Sequence, residues 1–154
     1  MNSRNLWLLT LSQVFGFTSA TVNVFLSGII GSQLVSIKTL ATLPVALLVI
    51  GTAICTVFAS YIMSKFGRKF GFISASIASS LSSLLAAYSI SIESFVLFCI
   101  SCLLMGMGLA FVHQYRFAAT ESVDKEKIPK AVSIILLAGI LSVFIGPNIA
   151  NLSK

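Results

Sequence analysis

The sequence predicts an all-α membrane protein of about five transmembrane helices, and three observations predict it. First, 57% of the residues are hydrophobic and only 9% are charged, whereas a soluble domain carries roughly 25% charged residues. Too few charges remain to coat a solvated surface. Second, the charges are gathered into short clusters that leave uncharged runs at 5–37, 39–64, 70–92, 94–115 and 131–153. Each run reaches the roughly 20 residues that a helix needs to cross a hydrocarbon core about 30 Å thick. Third, stretches such as Val45–Ile50 and Ile134–Leu137 are continuously apolar. Barrel strands would alternate, and a helix satisfies every backbone group within its own segment.

The elements follow in order, as one transmembrane domain over 1–154 with spans at approximately 6–30, 39–63, 70–89, 94–115 and 131–151. Arg4 opens the first run, and Thr18-Ser19-Ala20 could be read as a leader cleavage site. The uncharged run continues well past Ala20, longer than a typical leader core, so the first span is expected to be retained. Gly31-Ser32-Gln33 and Ser36 mark its exit. Pro44 falls in the early turns of the second span, where a proline costs least. A link from Lys65 to Lys69 leads to a third span rich in serine and alanine, residues that let helix backbones approach closely in lipid. A short turn holding Glu93 precedes the fourth span, and Arg116–Lys130 is expected to form the substantial polar loop. Pro129 stands where the fifth span can begin.

Several classes are excluded. The net charge of +6 comes from basic clusters at span ends, with no aromatic-interleaved basic stripe of the kind that binds nucleic acid. Cys55, Cys99 and Cys102 all fall inside spans, without the further Cys or His ligands that a metal site needs. They are read as small packing residues. One histidine, acids confined to span edges and no nucleophile–base spacing leave no catalytic residue to name. No enzyme activity, cofactor or metal is expected. Lys and Arg are retained on the cytoplasmic side of short loops. Arg4, Lys65, Arg68, Lys69, Arg116, Lys125, Lys127 and Lys130 share one side, against Lys38 and Lys154 on the other. The N-terminus is therefore expected inside, and the C-terminus of a five-span chain outside.

The link is the most specific motif. Ser60-Tyr61-Ile62-Met63-Ser64-Lys65-Phe66-Gly67-Arg68-Lys69 resembles the loop signature G-x-x-x-D-[RK]-x-G-R-[RK] of the major facilitator superfamily. Lys65, Gly67, Arg68 and Lys69 match, while Ser60 and Ser64 replace the glycine and the aspartate. Gly67 suits a tight turn, and the basic residues hold the link on the cytoplasmic side. In the family the aspartate joins a charge network that steadies one conformation, so its replacement puts that part of the gating in question. Cys102-Leu103-Leu104-Met105-Gly106-Met107-Gly108 is similar to the family's R-x-x-x-G-x-G, with Gly106 and Gly108 matching and Cys102 in place of the arginine. Gly139 with Gly146-Pro147 resembles the Gly-Pro pattern of the family's fifth helix, where a glycine face and a kink allow close packing. His113–Ala119 is also similar to a subgroup of bacterial permeases of this kind.

The resemblance implies transmembrane transport of a small solute by a permease of the bacterial inner membrane. Family members usually have twelve spans in two halves, each half made of inverted three-span repeats. This chain supplies about five, resembling an incomplete N-terminal half, so the implied reading is a truncated or partial chain not competent alone. Its implied partners are the lipid bilayer, an unidentified small-molecule substrate and a missing C-terminal half or other copies of itself. Two alternatives stay open: a homo-oligomeric mini-transporter and a membrane-embedded partner or assembly subunit. Among polar residues within spans, Gln13 and Asn23 are the candidates for lining a pathway, beside a structural role as interhelical hydrogen bonds. No Asp or Glu lies at mid-span depth, where proton relays are often placed.

Overall fold

The computed structural model of the chain describes residues 3–35 and 40–152. Among them every regular element is helical: α1 Ser3–Leu34, α2 Leu43–Phe66, α3 Arg68–Ser91, α4 Phe95–Val112, α5 Tyr115–Glu121 and α6 Ile128–Leu152, with a 3-10 turn at Lys125–Lys127. Five segments are long and apolar enough to cross a membrane, with α4 and α5 together forming one of them over Phe95–Glu121. The chain is an integral, multi-pass, all-α membrane protein. Lys38 and Lys154, the two residues assigned to the far side, lie outside the described residues.

Some boundaries differ from those expected, each for a packing reason. Gly31-Ser32-Gln33, read as an exit turn, is helical, and α1 continues to Leu34. A Cβ on Gly31 would collide with the Ala41 carbonyl oxygen and stand 3.3 Å from Pro44 Cγ. The glycine serves a close approach there, not a turn. The link from α2 to α3 contracts from five residues to Gly67 alone, with Lys65 in the last turn of α2. Gly67 has φ 85° and ψ 155°, a region that essentially only glycine occupies. The polar stretch from Arg116 is also shorter than expected. Residues Tyr115–Glu121 form α5, which buries Ala118 and Ala119, and the chain turns only around Ser122–Asp124.

The chain divides into two compact units, one of residues 1–23 with 112–154 and one of residues 24–111. Small side chains set the packing in both, as expected where lipid removes any hydrophobic drive between helices. In the 24–111 unit, Cys55, Ala59, Met63, Ala75, Ala110 and Phe111 form one buried cluster. Leu48, Ala86, Phe98 and Cys102 form another. All three cysteines are buried and unbridged, and Ser27 Oγ lies 3.4 Å from Cys102 Sγ.

The crossing of α2 and α4 is built on glycine. A Cβ on Gly106 would run into the Leu48 carbonyl, and one on Gly51 would run into the Leu103 carbonyl. The Thr52 hydroxyl lies 2.9 Å from Leu48 O and 3.0 Å from Gly106 O, so one proton serves a carbonyl on each helix. The 1–23 and 112–154 unit repeats the device. The Ser142 hydroxyl lies 2.8 Å from Ala138 O on its own helix and 3.0 Å from Val14 O on α1.

Candidate functional site

The two polar candidates in α1 have different surroundings. Gln13 is 2% exposed, and its Oε1 is buried with no hydrogen-bond partner among the described residues. Thr10, one turn earlier, donates its hydroxyl to Leu6 O at 2.8 Å and is satisfied within its own helix. Asn23 is half-buried, ten residues further along α1. It is not brought beside Gln13, since ten residues of helix span about 15 Å. Across from Gln13 stands Gly139 of α6, where a Cβ would come no closer than 3.8 Å to Gln13 Nε2. The glycine therefore leaves a bare spot beside the amide. One turn beyond Gln13, Phe17 meets the ring of His113 edge-on, with centroids 5.3 Å apart.

The residues of the link motif are brought together by Gly67. Lys65 is the basic residue of the last turn of α2, where it complements the negative end of the helix dipole. Arg68 and Lys69 open α3, where positive charge is disfavoured by the dipole. Their placement therefore does not serve helix stability. Lys65 Nζ lies 5.7 Å from the centroid of the Phe66 ring, and Phe66 and Phe70 lie against each other at 5.5 Å. Both rings are exposed.

The glycines grouped by sequence separate by environment. Gly106 touches backbone, while Gly108 faces the Ser79 hydroxyl, a side chain that can turn away. Gly139 has ordinary clearance. Gly146 and Pro147 fall within α6, which runs on to Leu152; how their side chains pack lies outside the described part. Sequence reading missed Gly51, Thr52 and Ser142, which hold the two helix crossings. The adjacent pair Gly51-Thr52, small and then hydroxylated in an otherwise bulky span, was the available signal.

The described residues thus form a polytopic helical membrane protein with a basic Gly-Arg-Lys corner between its second and third spans. The sequence profile of the Major Facilitator Superfamily matches residues 6–152, and the chain belongs to that family. It is 32% identical over 146 residues to the riboflavin transporter RfnT of Brucella anthropi, covering 95% of this chain and 37% of that protein. It is 25% identical to the uncharacterized MFS-type transporter YddS of Bacillus subtilis and 27% identical to YdeG of the same organism. Each of those matches covers 96% of this chain and 34% of the relative. The chain thus spans about a third of the length of the curated relatives it matches. No solved structure matches it.

Proposed function

We propose that these helices form one side of the pathway of a facilitator-type carrier for a small solute, acting as a single transmembrane domain in a bacterial inner membrane. The observation that carries this reading is likeness along nearly the whole chain to the family and to a transporter at 32% identity. Because the relatives are about three times longer, the other side of the pathway comes from further helices, in the same polypeptide or in another copy. Gln13 and Asn23 are the polar contacts this stretch offers. The link residues Lys65, Gly67, Arg68 and Lys69 govern orientation and conformational exchange, and Gly106, Gly108, Gly139, Gly146 and Pro147 serve helix packing. The Lys and Arg asymmetry supports a cytoplasmic N-terminus.

The test is uptake. Cells expressing the native reading frame, with any further helices it encodes, should take up at least one of riboflavin, uridine, glucose, succinate and lysine saturably and above cells lacking it. Riboflavin heads the panel because one relative is named for it. The 154-residue chain alone in liposomes should not do so. Saturable uptake by that chain alone would favour a carrier assembled from several copies, and no uptake by the native frame would defeat the transport reading.

A further inference from the structure

We propose that the Gln13 side-chain carbonyl, which has no partner among the described residues, is the hydrogen-bonding contact for an uncharged solute. This rests on the transport reading above and names the solute class. A carboxamide in a membrane helix is normally bonded, because an unpaired polar group in a dry environment is costly. Three hydroxyls near Gln13 follow that rule, although Thr18 Oγ1, five residues along α1, is buried without a partner among the described residues. Thr10 and Ser142 are each bonded to backbone carbonyls at 2.8 Å, as is Thr21 at 2.9 Å. Gln13 does not follow it: its Oε1 is buried and unpartnered. Nor is a partner excluded by crowding on the α6 side, because Gly139 presents no side chain there and a Cβ would still clear Nε2 by 3.8 Å. Gln13 lies about 15 Å along α1 and so falls within the hydrocarbon depth of a helix that begins at Ser3. The fold keeps an acceptor, a donor pair and a bare glycine surface together at a depth where water is scarce.

The surrounding sequence sets the charge of what binds. Residues 5–37 and 131–153 contain no ionisable side chain, so an ion resting between α1 and α6 would find no counter-charge, at a steep cost in the bilayer interior. His113, which does titrate, is turned edge-on to Phe17. An uncharged molecule with N–H or O–H donors meets the Gln13 carbonyl without that penalty. The amide is closed off in this conformation, so the donor reaches it when α1 and α6 part beside Gly139, where no side chain interlocks.

Two measurements on Gln13→Leu, Gln13→Met and Gln13→Asn test this. In the first, the purified chain is unfolded thermally in detergent. Removing an unpaired buried carbonyl should raise the midpoint of the Leu and Met variants by about 3 °C. A fall would show that the amide has a structural partner and would overturn the inference. In the second, uptake of the five-solute panel is measured with the native reading frame. Uptake of riboflavin, uridine or glucose should drop at least tenfold in the Leu and Met variants and be partly retained in Asn. Unchanged uptake by the Leu variant, or wild-type uptake confined to succinate or lysine, would overturn the inference while leaving transport standing. No uptake by the wild type would remove both.

Discussion

At the scale of single residues, what decides a glycine's role is the atom that faces it. Gly106 lies against the Leu48 backbone carbonyl, and a carbonyl cannot rotate aside as a side chain can. Gly106→Leu should destabilise the chain by about 2–3 kcal/mol through overpacking. Gly139→Ala, which meets nothing closer than 3.8 Å, should be neutral or stabilising by up to about 1 kcal/mol because alanine is the better helix former. Denaturant titration in detergent micelles checks both, and equal losses in the two variants would contradict the packing described. Sequence alone put the two glycines in one group, since spacing shows that a residue is small without showing what stands opposite. It passed over Gly51 altogether, although that residue makes the reciprocal contact with Leu103. Gln13 was legible as polar among apolar neighbours, but its lack of a partner is a property of the helices around it.

At the scale of elements, two junctions hold positive φ and should respond in opposite directions to substitution. Gly67 has φ 85° and ψ 155°, so Gly67→Ala should cost about 1–3 kcal/mol, and asparagine should not rescue it because this is not the left-handed helical region. At the α3–α4 turn, Glu93 has φ 52°, a conformation costly for a residue with a Cβ. The turn persists because its backbone is bonded: Glu93 N donates to Ile90 O at 3.1 Å and Ser94 N to Ser89 O at 2.9 Å. Glu93→Gly should therefore stabilise by about 0.5 kcal/mol. Thermal midpoints of the two variants, one lower and one higher than wild type, are the expected pair. The existence of the five spans could be read from charge gaps, and the turn at Gly67 from its motif. The ends could not. Gly31 resembled a turn residue but packs inside a helix, and the charged stretch after Tyr115 resembled a loop, though burial of Ala118 and Ala119 extends a helix through Glu121.

For the whole molecule, the proposed orientation gives a definite pattern. Reporter fusions after Lys38, Lys69, Glu93, Lys125 and Lys154 should read outside, inside, outside, inside, outside. A cytoplasmic signal at Lys154 would be incompatible with five crossings. The family was readable because its most specific motif sits in one continuous link, and because glycines recur in order along α4 and α6. The solute was not readable, because recognition depends on helices facing each other and not on any single stretch of sequence. The serines of α3 bear on how such a chain is made. Most of its hydroxyls return their protons to carbonyls of the same helix, three or four residues back, as at Ser76, Ser80 and Ser83. Although α3 is rich in serine, it carries little polarity that calls for another helix. Those hydroxyls are therefore satisfied before any neighbour arrives, whereas the Thr52 hydroxyl of α2 gains its second acceptor, Gly106 O, only once α4 is in place.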